Sequence, residues 1–222
     1  MLDRRIFIGG ILAAGAAGLG GCGAGSSAKR QAEGALLLAD GTPNPAELAK
    51  PGPLGDKVLG NPNAPVTIIE YASLTCPFCH KFHLTTYPQI KKQLIDTGKV
   101  RYVIREFPIG RSAAAAAVVA RCAPEKDYFV LYDKFLTQQR KWVSQEVRPD
   151  AIYKVASQTG MSRQTFDACM ANQEITDGLV WVKKRAREFG VSGTPTFFVN
   201  GKKERGALSY DQIKAMIGSQ TS

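Results

Sequence analysis

The order of segments predicts an α/β fold in which a βαβ half and a returning αββα half flank an inserted helical domain. Three observations carry that prediction. A run of β-formers, Val66-Thr67-Ile68-Ile69-Glu70-Tyr71, passes into an amphipathic helix at Cys76-Pro77-Phe78-Cys79. Residues 111–174 show helical spacing of apolar positions and no strand signal. A second β-run, Thr196-Phe197-Phe198-Val199, lies far downstream and meets Asn200-Gly201, a hairpin signal.

The elements follow in order from local chemistry. Proline is favoured at the first helical position, where its missing N–H has no partner to lose, so Pro77 places Cys76 at the N-cap and Cys79 in the first turn. Cys79, Phe82, Ile90 and Leu94 share one apolar stripe of that helix, and 100–107 reads as the next strand. Ser112 is expected to cap a helix over 113–121. A helix over 125–139 carries Phe129, Tyr132, Phe135 and Leu136; Asp150 is expected to cap 151–159, and Ser162 opens a helix ending near Met170. Ile175, Leu179, Val182, Ala186 and Phe189 form a further stripe closed by Gly190, and 196–200 with 203–207 form a hairpin.

Two thiols at a strand-to-helix junction are close together and open to solvent. Cys76 faces the unpaired N–H donors and the positive end of the helix dipole, which favour a thiolate. It is the expected nucleophile, and Cys79 the buried resolving partner, of a thiol–disulfide exchange. The same letters admit two other chemistries. Cys76-Pro77-Phe78-Cys79-His80 fits the C-x-x-C-H pattern of covalent haem attachment. Cys76, Cys79, His80 and His83 supply four zinc-type ligands, although ligands on one helical turn surround an ion poorly. The preceding strand and the distant Thr194-Pro195 favour redox exchange. Proline removes a ladder donor and belongs at a strand start. A cis Thr194-Pro195 bond would turn the chain there and leave the Thr194 backbone free to pair with an extended peptide; a trans proline opening a strand is the alternative.

These residues resemble the thioredoxin-fold thiol–disulfide oxidoreductases of the DsbA type from the bacterial envelope. The resemblance runs from about Asp56 to the C-terminus, through Asn63-Ala64-Pro65-Val66, Cys76–Cys79, Asp96-Thr97-Gly98-Lys99-Val100 and Gly193-Thr194-Pro195-Thr196-Phe197-Phe198-Val199-Asn200-Gly201. It implies a thioredoxin-like fold with an inserted helical domain, a cis-proline at Pro195 touching the cysteines and the bound substrate, and a buried acid at Glu70 assisting proton movement at Cys79. A surface charge at a strand end is the other reading of Glu70. The resemblance also implies a DsbB-type, quinone-linked membrane partner for reoxidation. Phe78, with Pro77 between the thiols, departs from the pattern. Strong oxidants of the family commonly carry histidine at Phe78, and without that charge the thiolate is less stabilised and the disulfide less oxidising. Thr194 in place of an aliphatic residue also bears on that poise. Isomerase or reductase action are therefore alternatives to a disulfide-introducing oxidase.

The first residues bear on location. Arg4-Arg5 precede an apolar stretch too short and too rich in Gly and Ala to span a bilayer, so 1–21 reads as a twin-arginine-like export signal. Leu19-Gly20-Gly21-Cys22 resembles a lipobox, which would make Cys22 a lipidated first residue; an ordinary cleaved signal with an incidental cysteine is the alternative. Residues 22–54 read as a flexible tether, 55–110 as the first half, 111–174 as the helical insertion and 175–222 as the second half. The expected location is the periplasm, as a membrane-anchored lipoprotein or else soluble.

Of five cysteines, Cys122 and Cys169 remain once the redox pair and Cys22 are assigned. In an oxidising envelope they are expected to form a structural disulfide; two separately buried thiols are the alternative. A net charge of +10 with no recognition motif points to acidic clients or anionic surfaces rather than to nucleic acid. The exchange needs neither cofactor nor metal. Outside redox enzymes, a c-type haem lipoprotein and a non-catalytic peptide-binding envelope lipoprotein remain, and the expected partners are reduced exported proteins or peptides.

Overall fold

A computed structural model describes residues 35–218. Its elements run α1 (Pro45–Ala49), β1 (Lys57–Leu59), β2 (Val66–Ala72), α2 (Pro77–Thr85), α3 (Tyr87–Ile90), a π-helical turn (Lys91–Ile95) and β3 (Val100–Glu106). Helices α4 (Arg111–Cys122), α5 (Glu125–Thr137), α6 (Gln139–Trp142), α7 (Pro149–Ala156), α8 (Arg163–Met170) and α9 (Gln173–Glu188) follow. The chain closes with β4 (Thr196–Val199), β5 (Lys202–Arg205) and α10 (Tyr210–Gly218).

The strands form one sheet in the order β1-β3-β2-β4-β5. β2 and β3 are parallel, with Glu70 opposite Ile104, and every other pairing is antiparallel. Because side chains alternate across a strand, the sheet buries two separate apolar faces. Ile68, Tyr102, Phe197 and Val199 pack with Phe82 and Ile90 on one side, where the helical insertion extends the core. Ile69, Tyr71, Val103 and Phe198 pack with Val182 and Ala186 of α9 and with Phe189 just after it on the other. Glu70 shares the parity of Ile68, so it points into the face that also receives α2.

Four expectations need correction. Part of the tether is packed rather than loose. Asn44 caps α1, Leu48 is buried, and Arg105 on β3 donates to the carbonyls of Leu48 (2.8 Å) and Lys50 (3.0 Å) while pairing with Asp56 at 2.8 Å. A guanidinium presents five donors in a fixed fork, so one buried arginine holds several carbonyls of an irregular segment at once. The helix from Pro77 stops at Thr85. Pro88 lacks the N–H for the i−4 bond and its ring crowds that carbonyl, so the helix restarts as α3 and then widens, with Asp96 N bonding Lys91 O at 2.8 Å. Ser112 is not a cap. Gly110, at φ 81, sits there, and the Ser112 hydroxyl donates to Ser144 O at 2.6 Å. Asp150 is displaced as a cap because Pro149 takes the first helical position, and its carboxylate accepts from Arg163 at 2.6 Å instead. Ser162 does cap α8, through Thr165 N at 3.1 Å.

Cys122 at the end of α4 is bridged to Cys169 in α8, their Cα atoms 5.8 Å apart. The bridge closes a loop of 47 residues, for which chain entropy gives a stabilisation of about 3–4 kcal/mol. Replacing both cysteines with serine is expected to lower the unfolding free energy measured in urea by that amount while thiol reactivity at Cys76 persists. A loss under about 1 kcal/mol would show that the insertion is held by its apolar packing alone. Export signal 1–21 and Cys22 lie outside the described residues. Among the described residues no helix is long and apolar enough to cross a membrane.

Candidate active site

The end of β2 delivers the site. Cys76 has extended backbone (φ −76, ψ 123) and stands at the N-cap of α2, with Pro77 in the first turn. Its carbonyl accepts the first helical bond, from His80 N at 3.0 Å. The loop from Ser73 to Thr75 is pinned to the chain after β3: Ile109 N donates to Ser73 Oγ at 3.1 Å, and Thr75 Oγ1 donates to Ile109 O at 3.0 Å. Gln139, at the start of α6, donates from one amide nitrogen to Leu74 O (2.8 Å) and Cys76 O (3.1 Å). Sequence gave no signal for Gln139, because its partners are backbone carbonyls distant in the chain.

Both thiols are free; Cys79 is buried as expected at 1% exposed, Cys76 is less open than expected at 7%, and Phe78 between them is 60% exposed. The Thr194-Pro195 bond is cis. It brings the Thr194 carbonyl within 3.2 Å of Cys76 Sγ, where the thiol donates to it. The Thr194 hydroxyl beside it is buried and has no partner among the described residues, so it is available as a donor once the thiol ionises.

The electrostatics separate the two thiols. Cys76 is pulled down to about 5, foremost by a hydrogen bond from Cys79 and further by the Thr194 hydroxyl and the N–H groups of Phe78 and Cys79, against the cost of burial. Burial pushes Cys79 well above 9.0, and donating to Cys76 and the nearness of Glu70 push it the same way. Glu70 is buried beneath the pair and accepts a short bond from Tyr102 Oη at 2.6 Å. Burial raises its carboxyl to about 7, only partly offset by Tyr102 and His83. The surface-charge alternative for Glu70 is thereby excluded.

His80 and His83 turn away from the thiols. His80 Nδ1 lies 2.6 Å from Leu136 O, and His83 Nε2 lies 2.7 Å from Asp133 Oδ1 with its ring stacked on Tyr87. Among the described residues no cluster of His, Cys, Asp and Glu is arranged around an ion. The arrangement offers an accessible thiolate edge, a second thiol behind it and a buried acid able to trade a proton near neutral pH.

The rate of iodoacetamide alkylation is expected to rise with a midpoint near 5 at Cys76, with Cys79 silent in the folded protein. Linkage gives a second readout on the reduced protein. A depressed acid contributes its stability fully above the unfolded value, near 9.0, and loses it as pH falls through about 5. Glu70 acts oppositely: its raised value makes stability fall as pH climbs from 4.5 to about 7. Equal alkylation of both thiols with a midpoint near 9 would contradict this ordering.

A family model described as Thioredoxin matches residues 54–219. Wolbachia pipientis alpha-DsbA1 superposes with a TM-score of 0.70 and 30% identity over 78% of this chain and 94% of that one. The chain belongs to the DsbA type of the thioredoxin family. The thioredoxin-like fold with a helical insertion is that of this family. BdbD from Bacillus subtilis shares the fold at a TM-score of 0.68 and 24% identity, covering 74% of this chain and 91% of that one. A Rickettsia conorii protein provisionally named a protein-disulfide oxidoreductase is 37% identical over 167 residues, 73% of this chain. The match covers 59% of that relative's own length.

Proposed function

We propose that the protein is an envelope thiol–disulfide oxidoreductase that passes a Cys76–Cys79 disulfide to reduced exported proteins, acting chiefly as an oxidase. The observation that carries this reading is the contrast between the thiols: a Cys76 held near 5 and a Cys79 held far above it. A low-pKa nucleophile is the better leaving group, so a disulfide through Cys76 is readily given up.

In the exchange, a client thiolate attacks Sγ of Cys76 and the Cys76–Cys79 bond breaks. Cys79 leaves as a thiolate and takes a proton from Glu70, whose carboxyl near 7 is partly protonated at neutral pH. A second client thiol loses its proton and attacks the client sulfur bound to Cys76. Cys76 departs as a thiolate, the client carries a disulfide, and the enzyme holds the two electrons. A quinone-linked membrane partner of the DsbB type would remove those electrons and regenerate the disulfide. Thr194 and cis-Pro195 flank the nucleophile where an extended client would lie. Residues 55–110 and 175–222 serve as the two halves of the exchange domain, with 111–174 as the insertion. A lipid at Cys22 would hold the enzyme at the periplasmic membrane face, and Cys22→Ser should release the protein from membranes without loss of exchange.

The deciding measurement is the reduction potential of the Cys76–Cys79 pair, with turnover of a reduced two-cysteine peptide. Oxidase action requires a value above about −200 mV, and a value near −270 mV would assign reductase action instead. Phe78 lies exposed beside the nucleophile without charge. Phe78→His is therefore expected to lower the Cys76 midpoint further and raise the potential, and an unchanged potential would show that the backbone donors and Cys79 set the poise alone.

A further inference from the structure

Beside the nucleophile, the second face of the sheet carries a cluster of cations that the exchange chemistry does not use. Lys183 and Arg187 of α9 line an open cavity of about 500 Å³ together with Ile109 and the loop residues Gly190, Val191 and Ser192. Lys203 and Arg205 reach the same loop from β5. Lys203 Nζ donates to Gly190 O at 3.2 Å, and Arg205 Nη1 lies 3.5 Å from Ser192 Oγ. The Arg205 guanidinium rests directly over Gly193, where an added Cβ would meet Nη2 at 2.7 Å. Strand alternation puts Lys203 and Arg205 on the face of Phe198 and Glu204 on the opposite one.

None of these four cations makes an ion pair with a carboxylate among the described residues. The nearby Glu188 is turned to Arg185, and Arg185 is itself shared with Glu47 at 2.6 Å. Lys183 instead donates to Pro108 O at 2.5 Å, and Arg187 is exposed with no side-chain partner among the described residues. Partial burial, and after it the neighbouring Arg187, lower the Lys183 ammonium.

Two of the cavity's lining residues are tied to the site through the chain. Ile109 is bonded to Thr75, the residue before Cys76, and Ser192 lies two residues before Thr194, whose carbonyl meets Cys76 Sγ. A peptide linked through sulfur to Cys76 and running past Thr194 toward Ser192 would bring the residues flanking its cysteine to this cavity. A flat anionic bilayer seated there would cover the thiol, whereas an extended client would enter the cavity on its way past Thr194.

Resting on the oxidoreductase reading above, we propose that this cation-lined cavity selects clients carrying Asp or Glu within a few residues of the reacting cysteine. Uncompensated cations at the mouth of a cleft raise the encounter rate of oppositely charged chains and oppose like-charged ones, and salt screens both effects.

The test uses oxidised full-length protein and two ten-residue dithiol peptides that differ only in flanks of Glu or Lys. Stopped-flow fluorescence would follow reduction of the Cys76–Cys79 disulfide. The Glu peptide is expected to react about 10-fold or more faster in low salt, with the ratio falling toward about 2 at 0.5 M salt. Arg187→Glu and Arg205→Glu should each cut the ratio several-fold and together invert it. The ratio is taken within each variant, so partial loss of folded protein cancels. Lys126→Glu, the same charge change on exposed α5, should leave it intact. Reduction of the wild type by neutral dithiothreitol reports separately on the oxidoreductase reading, which fails if that reaction fails. Equal rates for the two peptides would overturn the cavity assignment. So would an Arg187-dependent sedimentation with anionic vesicles accompanied by no peptide preference.

Discussion

In Cys79→Ser protein, client chains are expected to stay attached through Cys76. In this variant the adduct forms when the Cys76 thiolate attacks a client disulfide and the other client sulfur leaves as a thiolate. It is released by that client thiol returning or, internally, by the buried Cys79 thiol, and the substitution removes the internal route. A serine hydroxyl cannot attack sulfur at neutral pH, so client adducts should accumulate on non-reducing gels and disappear with dithiothreitol. Cys79 also has a second role, because its thiol is the foremost hydrogen-bond donor to the Cys76 thiolate. Serine retains a donor in that position and alanine does not. Cys79→Ala should therefore raise the Cys76 midpoint by about one unit or more relative to Cys79→Ser and form adducts more slowly at pH 6. Adducts that decay as fast in Cys79→Ser as in the wild type would remove Cys79 from the resolving role. Identical midpoints in the two variants would remove it as a donor.

Arg121→Met is expected to cost about 3–5 kcal/mol, the largest effect on stability from a residue away from the thiols. Glu106 closes β3 and is 2% exposed. Arg121 of α4 grips both its oxygens, from Nε at 2.5 Å and Nη2 at 2.6 Å, while Tyr128 Oη donates to Oε1 at 2.7 Å. The same guanidinium reaches Leu54 O and Gly55 O through Nη1, tying the strand, the insertion and the segment before β1 together. Methionine fills much of the volume and leaves a buried carboxylate with one donor. The cost falls on that stranded charge, so the double variant Arg121→Met/Glu106→Gln should recover much of it. Urea unfolding of the single and double variants measures both quantities. A single variant within about 1 kcal/mol of wild type would mean that water or Tyr128 already satisfies Glu106.

The core of this site was legible because its signals are local. Pro77 at a helix start fixed Cys76 as the N-cap, and apolar spacing placed Cys79 inward with Phe82. The caps at Ser162 and the stripe of α9 were legible for the same reason. Features that depend on a partner far away were not. The segment 35–54 lacks apolar periodicity and reads as a tether, yet it is held through carbonyls by Arg105, which sits inside a strand. Ser112 has the chemistry of a cap, but Gly110 begins the helix and the hydroxyl answers Ser144 instead. Tyr102 looks like any strand aromatic until the register places it beside Glu70. The low value at Cys76 was expected from the helix terminus, whereas its foremost cause is the neighbouring thiol, a dependence on side-chain geometry that no spacing encodes.

The two margins of the sheet carry a consequence for behaviour at high concentration. β1 offers only three residues to an incoming strand, and β5 presents Lys202, Lys203, Glu204 and Arg205, all exposed. Short margins and charged margins resist the strand-to-strand growth that turns folded sheet proteins into aggregates. In the oxidoreductase role proposed above, the protein would meet many loose strands seeking such a margin. With both margins poor hosts, an extended chain gains little by lodging there and is left to find the turn before β4, where the sulfur waits. On that reading, the short and the charged margin of the sheet protect the protein from clogging.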